Sequence, residues 1–278
     1  MTKRLALLAA AAFLPGCVPE GNSTPSDSGP APNAQTGPTF RPSLNVMTAT
    51  FEDNFDRPPR PAVALMPSVA PSAEAPEGGV IPGSASAAPQ PVPDDLGPNW
   101  RQAGTSVWHI ENGRLCGQHA QNHGVWLTKV LPVNARIEFD AIAESPQGDL
   151  KAEVWGDGQS HATAISYTNA TSYLAILGGW KNKFHVLARL NEHGNDRKQI
   201  AIDPQSDDPK EKPVVVGQIY HIKIERTDGK TVRFFVGGDE YLSYDDPQPL
   251  AGMGHDHFGF NDWEVKVCFD NVKVQPLP

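Results

Sequence analysis

Along the second half of the chain, apolar and polar residues alternate in steps of two. Ile137, Phe139, Ala141 and Ala143 share one face of a segment whose other face carries Arg136, Glu138 and Asp140. The run Lys151-Ala152-Glu153-Val154-Trp155 alternates in the same way. A period of two belongs to an extended strand, whose side chains point to opposite faces in turn, and no window sustains a helical period. The pattern predicts strands at 107–110, 114–116, 135–143, 151–155, 163–167, 172–177, 184–190, 199–202, 218–226, 231–236, 240–244, 258–260 and 263–274. Asn112-Gly113, Asp228-Gly229 and Gly237-Gly238 punctuate the runs. Such pairs tolerate the positive φ that tight hairpins require. Many short strands joined by tight turns predict an all-β, two-sheet antiparallel jelly-roll β-sandwich.

The first third of the chain has another texture. Residues 17–47 are rich in Pro, Ser, Gly, Asn and Thr, and 57–94 in Pro, Ala and Ser. Such segments bury too little apolar surface to offset chain entropy. The expectation is a disordered tether at 17–47 and a β-sandwich domain at 48–278 with a low-complexity insertion at 57–94. Every Trp and Tyr lies at or after Trp100. The segment 48–56 is read as one more strand, reached across the insertion, because closure entropy rises slowly with loop length.

Residues 1–16 read as a signal peptide. Lys3 and Arg4 precede an apolar run from Leu5 to Leu14, too short for a permanent bilayer span. The run ends in Leu14-Pro15-Gly16-Cys17, which resembles a bacterial lipobox, with Pro15 where Ala or Ser is usual. That resemblance implies export, acylation of Cys17 (palmitate among the acyl chains) and a lipid anchor. Val18 after the cysteine implies sorting to the outer membrane of a Gram-negative envelope. The net charge of −9 excludes the usual basic nucleic-acid surface.

A wider resemblance rests on Asp53-Asn54-Phe55-Asp56, Leu96-Gly97-Pro98-Asn99-Trp100 and Trp108-x-Ile110-Glu111-Asn112-Gly113-Arg114-Leu115. Near the C-terminus, Phe258-Gly259-Phe260 and Val267-Cys268-Phe269-Asp270-Asn271-Val272 extend it. These runs resemble concanavalin A-like lectin/glucanase sandwiches, and within them the bacterial 3-keto-disaccharide hydrolase-like branch. The resemblance implies the sandwich fold. The functions it brings into view are carbohydrate binding, a glycoside-cleaving activity, or a non-catalytic envelope scaffold.

The candidate chemistry is thin. Family 16 glucanases place Glu, Asp and Glu on one strand face, and Glu138, Asp140 and Glu144 approach that pattern. The outer pair lies about 20 Å apart along a strand, whereas retaining glycosidases need about 5 Å. No catalytic residue is assigned, which leans the reading away from an enzyme. His255 and His257, or His119 and His123, have ligand-like spacing but no third partner, so no metal site is assigned. No cofactor is implied beyond a structural Ca²⁺ on Asp53, Asp56 and Asp270. Cys116 and Cys268 remain after acylation and are candidates for a disulfide in an oxidising compartment. The candidate ligand-binding set is Glu153, Trp155, Tyr173, Trp180, His185 and Arg189. With Val154, Leu174 and Ile176 facing the core, these side chains would line one exposed sheet face, offering flat rings and hydrogen-bonding groups to a glycan.

Overall fold

A computed structural model describes residues 41–57, 96–105 and 107–278. The signal peptide at 1–16, Cys17, the tether as far as 40 and the low-complexity block from 58 to 95 lie outside the described residues.

Among the described residues fifteen strands follow one another: β1 (Phe51–Asp53), β2 (Trp100–Gln102), β3 (His109–Glu111), β4 (Arg114–Gly117), β5 (Val125–Leu127), β6 (Ala135–Ala143), β7 (Leu150–Gly156), β8 (Tyr173–Gly178), β9 (Phe184–Arg189), β10 (Lys198–Ala201), β11 (Ile219–Arg226), β12 (Thr231–Val236), β13 (Asp239–Asp245), β14 (His257–Asn261) and β15 (Val267–Pro276). One sheet runs β13-β12-β11-β6-β15-β4-β3, with β1 also on β15, and the other runs β10-β9-β8-β7-β14-β5-β2. All the strand ladders are antiparallel. The molecule is thus an all-β sandwich.

The turns form where the sequence permits positive φ. Asn112 and Gly113 (φ 52° and 72°) close β3–β4, and Gly237 and Gly238 (61° and 98°) close β12–β13. The buried face of β6 packs against the other sheet through a cluster of rings. Phe260 of β14 stacks on Phe269 of β15 with centroids 3.9 Å apart, and Trp100 stacks on Phe260 at 5.7 Å. Phe139 meets both phenylalanines edge-on. Offset and edge-on ring pairs of this kind add about 1 kcal/mol each beyond the area they bury.

The N-terminal edge is tied into this core. β1 pairs with the C-terminal half of β15, Phe51 opposite Val274 and Asp53 opposite Val272. Trp100 Nε1 and Arg57 Nη2 both donate to Asp53 Oδ2, at 2.9 and 2.6 Å. The end of the expected tether is seated too. Met47 N donates to Val130 O, Ser43 Oγ to Asp256 Oδ2, and Met253 N to Arg41 O. Residues 41–47 therefore belong with the sandwich, because their backbone groups find partners there.

Cys116 and Cys268 lie opposite each other on β4 and β15 and form a disulfide. The strand expected at 163–167 does not form. That segment is a loop crossing the outer face of the β7–β8–β9 region, with Tyr167 buried beneath it. The expected strand 263–274 starts at Val267, since Asp262–Lys266 form the connection from β14. The short strands β2 and β5 carry too few residues to show a period.

Candidate functional site

The seven-stranded sheet has two buried faces. Toward the core it presents Val125, Ala152, Val154, Tyr173, Ala175, Leu177, Leu187, Phe258 and Phe260. On the outside, Leu174, Ile176, Val186 and Ala188 form a second, smaller cluster with Ala162, Tyr167 and Ala170 from the covering loop. Where that cover ends, a cleft of about 400 Å³ opens over β7 and β8. Its lining includes Asp149, Lys151, Ile176, Trp180, Glu192, His193, Trp263 and Glu264.

Trp180 stands at the rim because the β8–β9 connection is a left-handed turn. Gly178, Trp180, Lys181 and Asn182 all have positive φ, between 53° and 74°. Left-handed backbone costs non-glycine residues about 1–2 kcal/mol each, so three in a row need outside support. Asn182 supplies it. Its Nδ2 donates to Pro146 O at 2.7 Å and Val214 O at 2.9 Å, and its Oδ1 accepts from Val214 N at 2.9 Å. A side chain at Gly178 would meet Asn182 Oδ1 at 2.5 Å and Val214 at 2.6 Å, so glycine is required there. The Trp180 ring has the Arg197 guanidinium over it at 4.7 Å and His193 against it at 5.5 Å. Trp263 is held by its backbone N–H, which donates to Asp149 Oδ2 at 3.2 Å.

The floor of the cleft is charged, and its Lys151 and Glu192 are almost wholly buried. Lys151 Nζ donates to Asn122 Oδ1 at 2.7 Å and Glu192 Oε2 at 3.0 Å. Burial pulls its pKa down, yet Asp149, Glu192 and Asp262 together raise it above the ordinary lysine value. Glu153, two residues along β7, accepts from Ser172 Oγ (2.5 Å), Tyr167 Oη (3.1 Å) and Asn261 Nδ2 (2.6 Å). Burial pushes its carboxyl up to about 7 against those three donors. Burial, reinforced by the charge of Asp149, raises Asp262 likewise to about 7.

A pH dependence of stability follows. A carboxyl whose folded pKa lies above its unfolded value stabilises fully below the unfolded value, and that contribution is lost as pH rises through the folded one. Between about pH 4.5 and pH 7, Glu153 therefore withdraws roughly 3 kcal/mol of stability. Asp262 loses stability in the same direction. Urea titrations across this window are expected to show a smaller decline for Glu153→Gln than for the parent. Parallel curves would remove the basis for the shift.

Of the six residues expected to share an exposed face, only Trp180 lines the cleft. Trp155 is 1% exposed and Tyr173 0% exposed, both in the core between the sheets. A β-bulge explains the first. Val154 pairs with Phe258 but Gly156 with His257, leaving Trp155 (φ 53°) as the extra residue, turned inward beside Val154. The register explains the second. Tyr173 lies opposite inward-facing Val154, so Leu174 and Ile176 face out, opposite Glu153 and Lys151.

His185 and Arg189 follow the same parity. His185 Nδ1 accepts from Gly178 N at 3.0 Å, so its proton sits on Nε2, which donates to Lys212 O at 3.2 Å. Burial lowers its pKa to about 4. Arg189 and Tyr173 both donate to Asp246 Oδ2 at 2.6 Å, fastening β8 and β9 to the segment after β13. Glu153 is on the outer face but sealed beneath the covering loop.

The other candidates are occupied elsewhere. Asp140, on the far sheet, is bonded to His221 and Asn271. His255 bonds Thr171 O, His257 bonds Asp256, and His123 bonds Ala120 O and stacks on His161. Among the described residues no three His, Cys, Asp or Glu side chains gather as a metal site. Sequence reasoning missed Trp263, Glu192 and Asp149, which lie on or beside connections. The one available signal was a tryptophan set among Asp262 and Glu264 in a loop.

No protein-family model matches the chain, and no curated protein matches its sequence. Solved structures do resemble it. One is a carbohydrate-binding module, CBM66, from Bacillus subtilis, at 16% identity, covering 64% of this chain and 95% of that one, with a TM-score of 0.47. Another is a putative glycosyl hydrolase from Parabacteroides distasonis, at 16% identity, 65% and 89% coverage and a TM-score of 0.43. A third is an alginate lyase mutant in complex with alginate tetrasaccharide, at 10% identity, 64% and 86% coverage and a TM-score of 0.41. The chain itself is a two-sheet antiparallel β-sandwich with an aromatic-rimmed cleft on the outer face of its seven-stranded sheet.

Proposed function

We propose that this protein is a carbohydrate-binding sandwich, exported and held at the outer membrane by an acyl chain on Cys17. The observation that carries the binding reading is the cleft: two tryptophans, Trp180 and Trp263, border a floor of Lys151, Asp149 and Glu192. An indole offers a flat apolar face to the C–H groups of a sugar ring, while the carboxylates accept from its hydroxyls. The strained turn that carries Trp180 is braced before any ligand arrives, which lowers the entropy lost on binding. The anchor reading rests on Leu14-Pro15-Gly16-Cys17 and the apolar run before it. The lectin/glucanase resemblance of the sequence agrees with the binding reading and leaves the glycan unnamed.

The test is retention on a glycan array, followed by calorimetry with the best oligosaccharide. Trp180→Ala is expected to weaken binding at least tenfold, equivalent to about 1.4 kcal/mol, with the unfolding transition little changed. Equal affinity in Trp180→Ala and Trp263→Ala would remove the cleft from the function. Release of reducing ends by the parent protein would replace a binder with a hydrolase.

A further inference from the structure

We propose that the side chains of Lys151 and Asn122 become joined by a covalent amide bond that the protein forms on itself. The two residues are 2% and 1% exposed, and Lys151 Nζ lies 2.7 Å from Asn122 Oδ1. The carboxamide carbon sits one C=O bond beyond that oxygen, so the nitrogen is within about 4 Å of it. Glu192 Oε2 is 3.0 Å from the same nitrogen. Asp262 closes the other side: its backbone O accepts from Asn122 N at 2.8 Å. An amine, a carboxamide and the Glu192 carboxyl are thus in direct contact and almost wholly buried, with the Asp262 charge acting on the same amine.

Two buried atoms here have no hydrogen-bond partner among the described residues: Asn122 Nδ2 and Asp262 Oδ1. Buried polar atoms are nearly always paired, so an orphaned amide nitrogen calls for an explanation. The reaction supplies one, because Asn122 Nδ2 is the atom that leaves.

The step balances without an oxidant. Lys151 passes a proton to Glu192, and its neutral nitrogen attacks Asn122 Cγ. The carbonyl pair opens onto Oδ1 as the N–C bond forms. It returns as the C–Nδ2 bond breaks, and Nδ2 takes up a proton and departs as ammonia. An ammonium and a carboxamide have become a secondary amide and an ammonium ion. The fixed contact replaces a bimolecular encounter. Because the surrounding carboxylates hold Lys151 protonated, the attacking form is scarce and the step slow; the escape of ammonia makes it one-way.

Peptide mapping of the full-length protein, with its disulfide reduced, decides the matter. Trypsin is expected to leave the bond after Lys151 uncut. Residues 115–129 and 137–181 are expected in one species, lighter than the sum of those two peptides by one ammonia. Loss of ammonia confined to 115–129 would be succinimide formation at Asn122 and would overturn the proposal. So would ordinary cleavage after Lys151 in protein aged at neutral pH. Glu192→Gln is expected to slow the cross-link at least tenfold while the chain still folds. Since the parent protein alone gives the decisive result, a variant that fails to fold does not obscure it.

Discussion

Replacing Cys116 and Cys268 together by alanine is expected to lower the unfolding free energy by about 5 kcal/mol. The disulfide joins residues 152 apart in sequence, so it removes a large closed loop from the freedom of the unfolded chain. In the folded state little else changes, because the two residues are already cross-strand neighbours in the β4–β15 ladder. The check is a denaturant titration of both proteins, and of the parent under reductant. The midpoint should fall far more than the slope accounts for. A midpoint that stays put would mean that the bond constrains nothing the unfolded chain explores. The same bond marks an oxidising compartment as the place where this fold is most secure.

Arg226→Met is expected to cost about 4 kcal/mol, from two carbonyls left unpaired and an indole face uncovered. Arg226 is wholly buried, its guanidinium 3.9 Å over the Trp155 ring. Its Nε donates to Val133 O at 2.6 Å and its Nη1 to Leu250 O at 2.8 Å. Burial draws its pKa down to about 10, so it remains charged at neutral pH. Methionine matches much of the volume but none of the hydrogen bonds. Arg226→Lys should recover little, because a single ammonium cannot reach both carbonyls and lie flat on the ring. Thermal or urea unfolding of the two variants measures this directly. A loss under about 1 kcal/mol in Arg226→Met would show that water takes over the carbonyls.

The sandwich was legible because most of its strands have one face toward the core and one toward water. β6 announces itself through Ile137, Phe139 and Ala141 against Arg136, Glu138 and Asp140. The parity of β8 was not legible. Tyr173-Leu174-Ala175-Ile176-Leu177 is apolar at every position because both faces are covered, and such a run carries no inside or outside. Only its register against β7 decides, and β7 itself changes phase at Trp155. One bulged residue therefore moved Trp155 into the core, and the covered faces of β8 and β9 buried Tyr173 and His185 and turned Arg189, half-buried, toward Asp246. Trp180 survived as a site residue because a connection, free of strand parity, carries it. The rest of the cleft comes from chain segments far apart in sequence, which no local pattern joins.

β15 meets β1, β4 and β6 and is covalently bound to β4. That arrangement has a mechanical consequence. Tension arriving along the N-terminal segment would first load the contacts of Arg41, Ser43 and Met47 with Met253, Asp256 and Val130, and reach β1 and its bridges to β15 only after these gave way. From β15 the force would then pass through the sulfur link into the neighbouring strand, so that the C-terminal strand stays fastened after the outer contacts have yielded.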